Sequence, residues 1–187
     1  AGILHPHPEY GGTMNNKVVY HAYHTFLKNG FSVCRFNFRG VGKSEGKFDN
    51  GLGELSDAAA ALDFIQRNNS NSNESWVIGF SFGALISMQL LMRRPEIFRF
   101  ISISPQPNIF DFNFLAPCPT SGLVIHGDQD QLVPNDTMLI LKEKLVSQKN
   151  ITVDFNLIKG ANHFFTNKEK DLVESINLYI KKESRLF

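Results

Sequence analysis

The sequence predicts an α/β fold, a mostly parallel sheet with helices on both faces. Three observations predict it. Short apolar runs of strand length alternate with longer runs of helical periodicity. Turn-forming clusters such as Arg39–Gly46 and Pro105-Gln106-Pro107 separate them. Strands that alternate with helices join through right-handed crossovers, which lay the strands side by side and parallel. The 187 residues suit a single domain, taken as 1–187, with a sizeable core.

The elements are read in order. Ala1–Leu4 is the end of a strand. Thr13 can cap a helix from about Met14 to Asn29, stopped by Gly30. Phe31–Phe38 alternates apolar and polar as a strand does, and a glycine-rich turn follows. A helix runs from Glu54 to about Asn69, with Leu55, Ala59, Leu62 and Ile65 near one face. Residues 75–79 form a strand and 82–94 a helix that ends near Pro95. Phe98–Ser104 and Gly122–His126 are strands. Asn135 or Asp136 can cap a helix to about Val146. Ile151–Ile158 is a strand and Lys168–Lys182 the final helix.

Between the strand at 75–79 and its helix lies Gly79-Phe80-Ser81-Phe82-Gly83, a G-x-S-x-G pattern. The pattern alone is weak, since roughly one chain in thirteen of this composition would carry it by chance. The strand before it and the helix after it make it specific, because that context holds a serine on a tight turn as a nucleophile. A side chain at either glycine would collide with a neighbouring element, and Ser81 must take a strained backbone conformation.

A serine hydroxyl needs a base. Of six histidines, His163 is the best candidate, in the loop just past the strand at 151–158. His126 ends a strand and reads as a supporting residue, and His21 and His24 lie within a helix. The base needs a carboxylate to fix its tautomer. Asp130 is chosen from the loop after Gly122–His126, with Asp128 as the alternative or as a residue that shapes the turn. An oxyanion requires two preorganised donors. One is the backbone N–H of Phe82. The other belongs to the loop His5-Pro6-His7-Pro8, where the prolines have no N–H and His7 remains. All these loops follow strands and should meet at one edge of the sheet, where ligands bind in such folds.

Composition narrows the class. A net charge of +1, with no Lys/Arg cluster, argues against nucleic-acid binding. No apolar run approaches the ~20 residues of a membrane helix, and no signal peptide is seen. The chain opens on Ala1, not Met, which suggests that residues precede it. Cys34 and Cys118 make neither a disulfide framework nor a zinc site, and a reducing, cytoplasmic setting is expected. Most of the 17 phenylalanines are assigned to the core. Arg39–Gly46 lacks the spacing of a phosphate-binding loop.

Four blocks carry a resemblance: LHPHPEYGGTMNNKVV at 4–19, RFNFRGVGKSEG at 35–46, GFSFG at 79–83 and GANHFF at 160–165. Together they resemble the α/β-hydrolase superfamily along essentially the whole chain. More narrowly, they resemble its small, capless, dienelactone-hydrolase-like bacterial members. The resemblance implies a Ser81-Asp130-His163 triad in that chain order, no metal or organic cofactor, and esterase-type activity on a small-molecule acyl substrate. Dienelactone hydrolases themselves use cysteine where this chain has Ser81, which sets that reaction aside. Two departures stand out. The antiparallel strand pair that the family places ahead of the strand ending at Leu4 is missing, which leaves 31–38 as an exposed edge and a dimer through it possible. The stretch between Ser104 and Gly122 is too short for a lid domain. The expected function is hydrolysis of small carboxylic esters, with activity rising as the imidazole loses its proton. The alternatives are a thioesterase or peptidase with the same triad, and a non-catalytic scaffold that acts as a binding module.

Overall fold

A computed structural model describes residues 1–184; residues 185–187 of the single-domain span lie outside the described residues. The chain runs β1 (Gly2–Leu4), α1 (Lys17–Lys28), β2 (Cys34–Arg35), α2 (Leu52–Arg67), β3 (Ser75–Phe80), α3 (Phe82–Leu91), β4 (Ile97–Ile103), β5 (Gly122–Gly127), α4 (Asn135–Val146), β6 (Val153–Ile158) and α5 (Glu169–Glu183). The strands form one sheet in the order β2-β1-β3-β4-β5-β6, and every pairing among the described residues is parallel. From β1 the chain steps outward to β2, then returns past β1 and builds the other way. The strand order therefore reverses between β1 and β3, and in open sheets of this kind ligands bind beyond the carboxyl ends of the strands at such a reversal. Leu4 pairs with Gly79, so the loops leaving β1 and β3 start level with each other.

Side chains alternate across the sheet and make two cores. On one face Trp76, Ile78, Ile101, Ile103 and Ile125 pack against Val19 and Phe26 of α1 and Leu172 and Ile176 of α5. On the other, Val77, Phe100 and Val124 join a cluster containing Leu55 and Leu62 of α2, Ile86 and Met88 of α3, and Leu141 and Leu145 of α4. Strands covered on both faces must be apolar at nearly every position, which is why β3 reads as a continuous run. Helix α3 is buried on all sides except at Gln89, as expected of a helix that is apolar all round.

Several boundaries differ from expectation. Helix α1 starts later than Met14: its cap is Asn16, whose Oδ1 accepts from Val18 N–H at 2.9 Å, while Thr13 Oγ1 closes a turn on Asn15 N–H. The strand expected over 31–38 shrinks to the pair at Cys34–Arg35. Its neighbour β1 gives way at once to the Pro6 and Pro8 loop, where an imide cannot extend the ladder. Phe38 N–H is satisfied instead by His5 Nε2 at 3.0 Å. Helix α4 is capped by neither Asn135 nor Asp136: its cap position is Pro134, and the Asn135 amide donates to Asp128 O. Helix α3 stops at Leu91, short of 94. The link from β4 to β5 carries only a 3₁₀ turn at Asn113–Leu115, and the described residues form no lid. Among the described residues no helix is long and apolar enough to cross a membrane.

Candidate active site

Ser81 sits between β3 and α3 with φ 56° and ψ −114°. For a residue with a β-carbon this is a costly conformation, sustained only where the surroundings fix it. Its N–H donates to Ile103 O of β4 at 2.9 Å, and its carbonyl accepts from Ala84 N–H. The flanking glycines allow the close approach that the turn demands. A β-carbon on Gly79 would lie 2.1 Å from Gly83 O, and one on Gly83 would lie 2.4 Å from Leu4 O.

His163 comes from the loop after β6. Asn162 Oδ1 accepts from the amides of Phe164 and Thr166, and Ser104 Oγ donates to His163 O at 3.2 Å. The imidazole packs against Phe80 and Phe164, with ring centroids 5.4 and 5.1 Å away. Its Nε2 is 3.0 Å from Ser81 Oγ, and its Nδ1 is 2.7 Å from Asp130 Oδ2.

Asp130 uses its two oxygens differently. Oδ1 accepts from Leu132 N–H and Val133 N–H at 2.8 and 3.0 Å, which leaves Oδ2 for the histidine. Burial opposes charging this carboxyl. The hydrogen bond and charge of His163 and the two amides outweigh it and hold Asp130 below the usual carboxylate range. An ionised Asp130 places the proton of neutral His163 on Nδ1, so Nε2 faces Ser81 as an acceptor. Asp128 faces the turn: its Oδ1 accepts from Gly160 N–H at 2.6 Å and ties the loop after β5 to the loop after β6.

The two residues expected to supply the oxyanion donors pack their rings together. His7 and Phe82 have ring centroids 4.9 Å apart. Phe82 is the first residue of α3, where a helix leaves its N–H without a partner inside the helix. His7 N–H also donates to no acceptor among the described residues, while its carbonyl accepts from Tyr10 N–H and Gly12 N–H. The positive end of α3 adds to the preference for negative charge at this point.

Three other residues shape the site. His5 is wholly buried; its Nδ1 donates to Pro6 O at 2.7 Å and its Nε2 accepts from Phe38 N–H, so it pins the His7 loop to the strand beside it. Burial drives its pKa down to about 4, although the Pro6 carbonyl pulls the other way. His126 Nδ1 is 3.7 Å from Asp130 Oδ2, beyond hydrogen-bond reach, and burial lowers its pKa as well. The third is Gln106, whose Oε1 lies 3.1 Å from Ser81 Oγ. The sequence marks Gln106 only as a residue between two strand-breaking prolines. Its position straight after β4, on the edge where the other loops meet, is the signal that could have flagged it. Among the described residues, no group of three or more His, Cys, Asp or Glu side chains is placed to hold a metal ion.

A family model described as serine aminopeptidase, S33, matches residues 11–117. The chain is an α/β hydrolase of this serine-hydrolase family. The hydrolase is 52% identical over 184 residues to an uncharacterized protein of Rickettsia prowazekii (strain Madrid E), covering 96% of this chain and 77% of that one. It is similar, at TM-score 0.94 and 54% identity, to a protein of unknown function from Agrobacterium tumefaciens provisionally described as an α/β hydrolase, covering 97% of this chain and 83% of that one. It is also similar to a lidless α/β serine hydrolase from Xanthomonas campestris, at TM-score 0.87 and 34% identity, over 97% of this chain and 80% of that one.

Proposed function

We propose that this hydrolase cleaves carboxylic esters of small acyl groups through an acyl-enzyme on Ser81. One observation carries the reading: an unbroken run of contacts from Asp130 Oδ2 to His163 Nδ1 and from His163 Nε2 to Ser81 Oγ, at 2.7 and 3.0 Å. Those distances are short enough for proton transfer without rearrangement. His163 takes the Ser81 proton as Oγ attacks the ester carbonyl. The carbonyl oxygen gains negative charge and is held by the His7 and Phe82 amides. The intermediate collapses, the C–O bond to the alcohol breaks, and His163 Nε2–H protonates the leaving oxygen. Water then attacks the acyl carbon by the same route, and Ser81 Oγ departs with the proton that His163 returns.

A small acyl group suits this site. Ser81 is only 6% exposed, and the half-buried rings of Phe48 and Phe110 stand beside Phe82. Cys34 and Cys118 are both free thiols, which fits a reducing, cytoplasmic setting.

Ser81→Ala should abolish turnover of p-nitrophenyl acetate and butyrate, and a fluorophosphonate probe should label the wild-type protein at Ser81 alone. Wild-type rates from the alanine variant would overturn the assignment. A peptidase reading is favoured by the description of the matching family. Faster turnover of aminoacyl p-nitroanilides than of the p-nitrophenyl esters would move the assignment to amide bonds.

A further inference from the structure

The Ser81 hydroxyl has one proton and two neighbours that compete for it. His163 Nε2 is 3.0 Å away and Gln106 Oε1 is 3.1 Å away. All three side chains are screened from solvent: Ser81, Gln106 and His163 are 6, 9 and 3% exposed. The Gln106 backbone is fixed as well, with prolines on either side and its carbonyl accepting from Ile109 N–H and Phe110 N–H at 3.0 and 2.9 Å.

The protonation of His163 decides which arrangement satisfies all of them. With Nδ1–H committed to Asp130, a neutral ring offers Nε2 as an acceptor and takes the Ser81 proton. Oγ can then only accept from Gln106, so the amide must present its NH₂. A charged ring donates through Nε2, and the Ser81 proton must go elsewhere; Gln106 Oε1 is the acceptor placed to take it. A primary amide can meet both demands by rotating half a turn, because its oxygen and nitrogen occupy equivalent positions.

We propose that Gln106 is a positioning residue whose amide reverses with the charge of His163, accepting the Ser81 proton when the ring is charged and donating to Ser81 Oγ when it is neutral. This rests on the hydrolase reading of Ser81 and His163 given above.

The ionisable surroundings of His163 are few. Asp130 is on Nδ1, His126 lies at the end of β5 beside Asp130, and Asp128 is bound to Gly160 N–H. The loop after β1 brings His7 against Phe82, and β3 and α3 contain no titratable residue. Gln106, which is neutral, is therefore the group on the Ser81 side of the ring whose replacement tests the idea.

The test compares wild type with Gln106→Met, which keeps the length but cannot hydrogen-bond, and Gln106→Glu, which accepts but donates nothing when ionised. The first readout is the His163 ring titration followed by NMR in the resting protein, which needs no substrate. The second is the pH dependence of fluorophosphonate labelling. The Met variant should hold its charged ring less well, so its midpoint moves to lower pH. The Glu variant should hold it better, so its midpoint moves up. Each shift should be on the order of 0.5–1 pH unit, the size of one hydrogen bond. Gln106→Ala replaces the Met variant if that protein fails to fold, with the same direction expected. Midpoints that stay at the wild-type position, or that move the same way in both variants, would overturn the proposal. Opposite shifts in a protein whose Ser81 is never labelled would keep the Gln106 coupling and overturn the hydrolase reading instead.

Discussion

At Ser81 the backbone is bent against its preference so that the hydroxyl stands clear of both β3 and α3, 3.0 Å from His163 Nε2. In the proposed mechanism the turn aims the oxygen, the histidine makes it reactive, and Asp130 decides which face of the histidine is available. Asp130→Asn should leave the fold intact, since Asn can still accept from the Leu132 and Val133 amides. It would lose the charge that fixes the tautomer, so kcat should fall by roughly 10³–10⁴, as loss of such a carboxylate costs in other triads. Steady-state kinetics beside a thermal melt checks this, and a tenfold loss or less would deny Asp130 that role. Residue identity was legible here because the chemistry demands particular types at loop positions. Ser81, Asp130 and His163 are far apart in the chain and could be named from G-x-S-x-G and from the loops after the strands at 122–126 and 151–158. Gln106 could not be named that way, because a glutamine amide has no characteristic neighbours in sequence and acts only through where it is placed.

Helix α3, which follows Ser81, is placed by backbone contact as much as by side-chain packing. Gly83 lies so close to β1 that an added β-carbon would meet Leu4 O and His5 O at 2.4 and 2.7 Å. Those are backbone atoms of the end of β1 and of the residue after it, and they cannot swing aside as a side chain could. Gly83→Ala should therefore destabilise the protein by ~1–3 kcal/mol, a Tm lower by several degrees for a chain of this size, and should also slow any Ser81 chemistry by displacing α3. Differential scanning calorimetry would check the first part, and an unchanged Tm would mean that β1 yields more easily than its hydrogen bonds suggest. Element type was legible throughout, because the periods of strand and helix are written in the apolar positions. Element ends were less so. Whether Phe36 and Phe38 stay in a ladder depends on what lies beside them. The neighbour is a three-residue strand that turns into a proline loop, a fact of pairing and not of local pattern.

Across the whole molecule, the two apolar layers hold the sheet, and buried histidines make that hold sensitive to acid. The pKa of His5 is 6.5 in an unfolded chain and about 4 here. As pH falls from 6.5 towards 4 the unfolded chain takes up the proton first, so stability drops through that window, by about 3 kcal/mol from this residue, and levels off below it. The lowered pKa values of His7 and His126 act in the same direction. Urea denaturation at pH 7 and pH 4 should show a smaller loss for His5→Gln than for wild type, and equal losses would remove His5 as the source. The sequence by itself determined the α/β class, the strand-turn-helix around Ser81 and the residue types able to supply a base and a carboxylate. It could do so because periodicity, turn chemistry and nucleophile activation are local or depend on residue type. The tertiary structure decided that Asp130 and not Asp128 reaches His163, that β2 is only two residues long, that His5 is buried beneath the His7 loop, and that Gln106 touches Ser81. Each of these depends on which loops the sheet order brings to one edge and on the direction a side chain takes there, and a linear sequence carries neither.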